Sequence, residues 1–179
     1  MPPVPAFSVV QRVNHRQFCA ELGDSLEGAH FVTDRSALMA LIQEATVLNR
    51  VSVERNWLLK LPLSYAGRGR RKIAAGPLNA KDVEWVDAAF RSGVGVQLEP
   101  VVQRELDVAL HGWLARDGSL TRGVPTRLTI DASGRWVETT RAEMGALSAD
   151  ETLQLTHTLE QTGRALHAAG YFGPFGIDA

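Results

Sequence analysis

The most informative stretch of this sequence is Lys60-Leu-Pro-Leu-Ser-Tyr-Ala-Gly-Arg-Gly-Arg-Arg-Lys72. The apolar run from Trp57 to Leu63 is typical of a buried strand, and Arg71 to Ala75 predicts the returning strand of a glycine-containing hairpin. Glycines let backbone N–H groups approach phosphate oxygens, and neighbouring cations offset the phosphate charge. A lysine on a strand that leads into such a hairpin therefore predicts a nucleotide site.

Two other interpretations of this stretch stay open on the residues alone. It is also typical of an arginine-rich hairpin at the surface, or of a loop that contacts nucleic acid. The overall charge disfavours the last, because 19 basic and 20 acidic residues leave a formal net charge of −1, which does not attract a polyanion. The stretch holds no Gly-Lys-Ser/Thr and no glycine triplet that opens a helix, which excludes a P-loop and a dinucleotide fingerprint.

A second stretch carries two carboxylates around a short connector. Glu99 ends the predicted strand Val94–Glu99, and Glu105 follows six residues later, just before the predicted strand Leu106–Ala115. Glutamates in such a linker are suited to accept hydrogen bonds from an adenine amino group or from ribose hydroxyls. The alternative is a solvated connector. His111, in the middle of the second strand, either faces a nucleotide or is a half-buried structural histidine.

The remaining patterns alternate between helices and hairpins and predict an α+β fold. The predicted N-terminal caps are Thr33, Asn79 and Ser148, the last in a capping box with Glu151. Further predicted elements are a helix over Asn14–Leu22, a strand over 29–32, a turn at Asp117-Gly118, a strand over Val124–Ile130, a turn at Ser133-Gly134 and a strand over Trp136–Thr139.

Composition sets limits on the class of protein. Of 179 residues, 45% are apolar and 22% are charged, which is ordinary globular usage. Cys19 is the single cysteine, so a disulfide framework within the chain and a cysteine-rich metal site are excluded. No apolar run approaches the roughly 18–20 residues of a membrane span, and Met1 to Phe7 does not resemble a secretory signal. We therefore expect a cytoplasmic protein.

The order of these segments resembles the ATP-grasp fold over nearly the whole chain, from Asn14 to Ala179. The shared order is a strand lysine, a glycine-rich hairpin, a helix, a strand that ends in Glu-Pro-Val-Val and a second glutamate strand. The resemblance implies a small lid lobe over 51–100 and a partial larger antiparallel lobe over 101–179, with nucleotide between them. It also implies ATP and Mg²⁺ as cofactors.

The resemblance also implies individual roles. Lys60 would contact adenine and the α-phosphate, and Glu105 would accept the ribose hydroxyls. Asp178 would be the first magnesium-binding carboxylate, and Arg16 is a loose match for a further nucleotide contact. The phosphate loop would be Ser64 to Gly69, with Gly67, Arg68 and Gly69 among its contacts, and the adenine edge would face Glu99 and the backbone around Val101 and Val102.

The sequence departs from the family pattern at its C-terminal end. Only Ala179 follows Asp178, so a second metal carboxylate is absent, and Gly176 stands where an arginine is common. The apolar segment from Tyr171 to Ile177 starts a predicted core strand and then stops. We therefore expect a truncated single module, the central portion of a ligase, whose apolar tail associates with another copy or a partner chain.

Three functions follow as alternatives. The first is the ATP-binding portion of an ATP-dependent ligase that joins a small carboxylate to an amine through an acyl phosphate. The second is a nucleotide-binding module without catalysis. The third is an interaction module that associates through the apolar tail. None of the three requires nucleic acid or a membrane.

Overall fold

The structure, a computed structural model, describes residues 3–23, 25–47, 56–64, 68–74, 76–91, 93–131 and 135–179. It divides into two units, which are described separately. The central unit is His15–Gln103, and the terminal unit combines Met1–Asn14 with Arg104–Ala179. The helices are α1 (Phe7–Val13), α2 (Arg16–Glu21), α3 (Arg35–Val47), α4 (Ala80–Arg91) and α5 (Ala149–Ala168). The strands are β1 (His30–Val32), β2 (Trp57–Lys60), β3 (Arg70–Ile73), β4 (Val96–Pro100), β5 (Val108–Leu114), β6 (Leu120–Arg122), β7 (Thr126–Ile130), β8 (Trp136–Arg141) and β9 (Gly173–Asp178).

The central unit contains a four-stranded antiparallel sheet, sheet A, in the order β1-β4-β2-β3. In β2 alternate residues, Trp57 and Leu59, are buried in the core that α3 and α4 help to form, as the period of two in a strand allows. The apolar core of this unit consists of Val32, Leu38, Ile42, Trp57, Leu59, Ile73, Val86, Ala89, Val96 and Leu98. Sheet A therefore has one apolar face against the helices, and its opposite face carries polar side chains.

Two of the helix starts in this unit test the predicted caps. The Asn79 side chain accepts a hydrogen bond from the Asp82 N–H at 3.0 Å, which confirms that cap. The prediction of Thr33 as a cap was wrong, because α3 begins at Arg35 and the Asp34 carboxylate accepts the Ala37 N–H at 2.9 Å. An N-cap directly precedes the first helical residue, and Thr33 lies one position too early.

The predicted helix over Asn14–Leu22 corresponds to α2, and it is preceded by a further helix, α1, that the sequence did not predict. Asn14 ends α1, and His15 adopts an extended conformation in which its Nδ1 accepts a hydrogen bond from the Gln17 N–H at 3.3 Å. Helix α1 was not predicted because its residues follow a proline-rich start. Prolines are compatible with a helix that begins just after them, since they occupy the positions where no backbone donor is needed.

The terminal unit contains the second antiparallel sheet, sheet B, in the order β6-β5-β7-β8. Strand β9 pairs with β5 over its whole length, from Leu114 opposite Gly173 to Ala109 opposite Asp178. The long helix α5 packs on one face, where Leu155 and Leu159 meet the apolar side chains of β5. The predicted capping box is confirmed, with the Ser148 hydroxyl accepting the Glu151 N–H at 3.2 Å.

The apolar C-terminal segment is an integral strand of sheet B. Phe175 and Ile177 pack against the core formed by Val108, Leu110, Leu155 and Leu159. The segment therefore buries apolar side chains within its own chain, and association through it remains a prediction.

The turn at Asp117-Gly118 is confirmed: Gly118 has φ +87° and the Asp117 carboxylate accepts the Ser119 N–H at 2.9 Å. The predicted turn at Ser133-Gly134 lies outside the described residues. Among the helices of the described part of the chain, none is long and apolar enough to cross a membrane.

Candidate nucleotide site

Lys60 and Glu99 form an ion pair on sheet A. The Nζ of Lys60 lies 2.5 Å from Oε2 of Glu99, and their side chains are 24% and 17% exposed. In the pairing of β2 with β4, Lys60 is opposite Gln97 and Leu58 is opposite Glu99, so the two charged residues are diagonal neighbours on one face. The sheet thus brings together two of the residues predicted for the nucleotide site.

The face that carries this pair is the one opposite α3 and α4, and we call it the polar face of sheet A. Trp57 and Leu59 point into the core, so Lys60 points away from it. Residues directly opposite each other in an antiparallel pair share a face, and Arg70 lies opposite Lys60 while Lys72 lies opposite Leu58. The polar face therefore presents three cations and one carboxylate.

Gln97 is a polar residue of this face that the sequence analysis missed. Its side chain is 5% exposed, and its Oε1 is buried with no hydrogen-bond partner among the described residues. Such a group costs free energy unless it is paired. The sequence could have indicated it, because residues two positions apart in a strand lie on the same face, and Gln97 is two positions before Glu99.

The hairpin after β2 closes through a glycine that cannot be replaced without strain. The Leu61 N–H donates to the Gly69 carbonyl at 2.8 Å. Gly69 has φ +61°, and a Cβ at this position would lie 3.1 Å from Cβ of Ser64. Arg68, just before it, is exposed. Gly67 lies outside the described residues, so its predicted role stays a prediction.

Arg16 holds the first part of this hairpin. Its Nε donates to the Leu61 carbonyl at 3.1 Å, its Nη2 donates to the Ser64 hydroxyl at 3.3 Å, and its backbone N–H donates to the Pro62 carbonyl at 3.1 Å. The Ser64 hydroxyl in turn donates to the Leu61 carbonyl at 3.4 Å. Arg16 therefore positions the predicted phosphate loop, a role that its sequence position did not indicate.

Arg71 does not lie on the polar face of sheet A, although its sequence neighbours Arg70 and Lys72 do. It is opposite Leu59 and points toward α4, where its Nε donates to Oδ1 of Asp82 at 2.7 Å. Asp82 is 4% exposed. The ion pair therefore joins β3 to α4. Because successive side chains of a strand point to opposite faces, the sequence could have predicted that Arg71 faces away from Arg70 and Lys72.

The connector after β4 begins in the central unit and ends in the terminal unit. The Val101 N–H donates to the Asn56 carbonyl at 2.8 Å, and Val102 is exposed. Glu105 is exposed and lies in the terminal unit, whereas Glu99 lies in the central unit. The predicted contacts of Glu105 with ribose and of the connector with adenine stay predictions.

Asp178 lies on the face of sheet B opposite α5, which we call the outer face. It follows Ile177, which packs toward α5, and it is exposed. No group of three histidine, cysteine or acidic side chains in the described ranges is arranged to hold a metal ion. A single carboxylate nevertheless suits a magnesium nucleotide, because Mg²⁺ takes oxygen ligands and fills its sphere with phosphate oxygens and water.

Comparisons with known proteins show which fold these two sheets form. No family model and no curated protein matches the sequence. The solved structures do match. Pyruvate carboxylase from Rhizobium etli superimposes with a TM-score of 0.69 and 18% identity, over 98% of this chain and 15% of that chain. N5-carboxyaminoimidazole synthetase from Staphylococcus aureus, complexed with ADP, has a TM-score of 0.66 and 13% identity, over 97% of this chain and 42% of that chain.

A third similar structure is the biotin carboxylase domain of the 2-oxoglutarate carboxylase from Hydrogenobacter thermophilus, in complex with MgADP and bicarbonate. Its TM-score is 0.62 at 12% identity, over 98% of this chain and 38% of that chain. All three are ATP-grasp enzymes. This chain has the ATP-grasp fold.

The ATP-grasp fold confirms the predicted α+β architecture with two antiparallel sheets. The chain spans less than half the length of each of these three proteins. At this identity the likeness extends to the fold alone. The roles of the individual residues in this ATP-grasp chain therefore rest on its own geometry.

Proposed function

We propose that this chain binds ATP and is the ATP-binding portion of an ATP-dependent ligase. The observation that carries the proposal is the polar face of sheet A, where the Lys60–Glu99 ion pair shares the face with Arg70 and Lys72 of the neighbouring strand β3. A polyphosphate needs several cations in fixed positions, and a strand framework holds them at regular spacing. The solved structures of similar fold support the nucleotide, since two of them contain ADP.

Each residue of the site has a proposed part. Lys60 contacts the adenine ring and the α-phosphate, and Glu99 accepts a hydrogen bond from the adenine amino group. Glu105 accepts hydrogen bonds from the ribose hydroxyls. The hairpin from Ser64 to Gly69, held at its base by Arg16, covers the outer phosphates.

The proposed reaction joins a small carboxylate to an amine. A carboxylate oxygen attacks the γ-phosphorus, the bond from that phosphorus to the bridging oxygen breaks, and ADP leaves. The amine nitrogen then attacks the acyl carbon, the carbon–oxygen bond to phosphate breaks, and the amine releases a proton. The protein supplies position and positive charge in such a step. Asp178 would hold Mg²⁺, which when bound neutralises charge on the phosphates.

The proposal is tested by calorimetric titration of ATP, with and without Mg²⁺, into the chain and into Lys60→Met. The matched control is Arg35→Met, which removes a cation of an exposed ion pair with Asp87 between α3 and α4. We expect saturable binding in the parent chain and in the control, and at least tenfold weaker binding in Lys60→Met. Absence of binding at millimolar ATP, from a folded chain, would overturn the proposal.

A second measurement separates the ligase portion from a binding module without catalysis. Release of ADP is followed in the presence of Mg²⁺ and a panel of small carboxylates and amines. Turnover that depends on one carboxylate and one amine supports the ligase. Tight binding without ADP release under any condition, including addition of the remaining parts of a homologous ligase, favours the binding module.

A further inference from the structure

The outer face of sheet B carries a histidine close to Asp178. Along β5 the side chain of Leu110 is buried in the core, whereas that of His111 is exposed. His111 lies directly opposite Gly176 on β9, and Ala109 lies opposite Asp178. His111 and Asp178 are therefore diagonal neighbours on one face, about 7–8 Å apart in an antiparallel pair.

The imidazole of His111 lies over Gly176, in the space that a side chain at position 176 would fill. A Cβ built on Gly176 would lie 2.7 Å from Cδ2 and 3.1 Å from Nε2 of His111. Gly176 is not among the glycines with positive φ, so its backbone conformation suits any residue. A glycine is needed at this position for space, because any side chain there would displace the imidazole.

The His111 imidazole packs over Gly176, but no polar contact among the described residues engages its ring nitrogens. One ring nitrogen of His15 accepts from the Gln17 N–H at 3.3 Å, and one ring nitrogen of His167 lies 3.2 Å from the Arg116 carbonyl oxygen. Within the part of the chain that the structure describes, the His111 imidazole has no hydrogen-bond or ion-pair partner, and it is exposed. The His111 imidazole is therefore fixed in position near the Asp178 carboxylate and has a ring nitrogen that can donate a hydrogen bond to a ligand.

We propose that His111 contacts the terminal phosphate of ATP bound through its cation to Asp178. The inference rests on the proposed function and adds a residue to its site. A cation on the Asp178 carboxylate places phosphate oxygens over this part of the outer face, and an imidazole N–H one residue pair away donates to such an oxygen. His111 therefore distinguishes ATP from ADP, which lacks that phosphate.

The test compares Mg·ATP and Mg·ADP by calorimetric titration. In His111→Ala we expect about tenfold weaker binding of ATP, the loss that follows from one hydrogen bond to a charged group, and less than twofold change for ADP. His111→Gln, which keeps an N–H donor, restores part of the ATP affinity. The matched control is His157→Ala, an exposed histidine on α5, which changes neither affinity.

Gly176→Ala tests the same idea without removing the histidine. We expect Gly176→Ala to lower the affinity for ATP but not that for ADP. It should have no further effect in the background of His111→Ala, because the imidazole that it displaces is then absent. Equal weakening of ATP and ADP, or an unchanged ratio of the two affinities in His111→Ala, overturns the inference and leaves the proposed function intact. A parent chain that binds neither nucleotide overturns both.

Discussion

Lys60 and Glu99 lie on neighbouring strands of sheet A and pair across a diagonal, with 2.5 Å between Nζ and Oε2. Each charge neutralises the other, and both side chains are mostly buried. Removing one partner leaves the second charge without its counter-ion, whereas removing both leaves the net charge of the polar face unchanged. The pair therefore predicts coupled effects on stability that can be measured apart from nucleotide binding.

We expect a coupling free energy of about 1–2 kcal/mol between Lys60→Met and Glu99→Gln, measured by urea denaturation of both single variants and the double variant. Tryptophan fluorescence, to which the buried Trp57 on the same strand contributes, follows the unfolding. Effects that add to within about 0.3 kcal/mol would show that the charges are independently solvated.

Gly69, in the hairpin after β2, is predicted to be destabilising to replace. In Gly69→Ala, a left-handed backbone conformation and a Cβ 3.1 Å from Ser64 act together. The control is Gly23→Ala, where φ is +89° and nothing lies within 4 Å of the added Cβ. We expect destabilisation of about 1 kcal/mol for Gly23→Ala and about 1 kcal/mol more for Gly69→Ala, by chemical denaturation. Equal losses in both variants would contradict the close contact.

The ion pair of Arg71 with the buried carboxylate of Asp82 is predicted to stabilise the fold more than an exposed pair of the same chemistry does. In Arg71→Met, Asp82 keeps a carboxylate that is only 6% exposed and loses its partner. We expect a loss of about 2–3 kcal/mol, little changed by 0.5 M salt. Arg35→Met breaks the pair with Asp87, in which both side chains are more than 40% exposed, and should cost less than about 1 kcal/mol. Similar losses in the two variants would contradict the prediction.

The capping box at the start of α5 predicts an acid-sensitive contribution to stability. Hydrogen bonds from the backbone N–H and the hydroxyl of Ser148 lower the pKa of Glu151 below its ordinary value. A carboxyl group with a lowered pKa in the folded state stabilises the fold above its unfolded pKa, and this contribution is lost as pH falls through the folded pKa.

Thermal unfolding of the parent chain and Glu151→Gln, followed between pH 7 and pH 3, measures this contribution. We expect the parent to be the more stable at neutral pH and the advantage to disappear in the acid range below about pH 4. A difference that stays constant over the whole range would mean that the Glu151 charge takes no part in the cap.

Local patterns predicted much of this fold, and long-range pairing explains what they missed. The Asn79 cap, the Ser148 capping box and the turn at Asp117-Gly118 depend on residues within three positions of one another, and the structure confirms them. By contrast, the Arg16 contacts with Leu61 and Ser64 join residues more than 40 positions apart. No spacing rule in a single sequence contains such a contact.

The same distinction applies to the candidate site. Lys60 and Glu99 were predicted from an ordered set of segments, and the strand register places them on one face. His111 remained ambiguous because its role depends on its position opposite Gly176, 65 positions later, and on the absence of a side chain there. Strand pairing between distant segments is fixed by the whole core, which a local pattern cannot specify.

The last prediction concerns strand β9, which the sequence suggested as a site of association. Because Phe175 and Ile177 pack against the core beside α5, Phe175→Ala should destabilise the terminal unit by about 2–3 kcal/mol, a little less than for a fully buried phenylalanine. The control on the same strand is Pro174→Ala, an exposed position, with an expected change below about 0.5 kcal/mol. Thermal unfolding and sedimentation velocity are measured on both variants. If Phe175→Ala leaves the unfolding temperature unchanged and converts an oligomer to a monomer, then the strand acts as an association surface, and the packing described for it is not what stabilises it. We expect Phe175→Ala to lower the unfolding temperature without changing the mass of the particle in sedimentation, because the Phe175 side chain packs within its own chain.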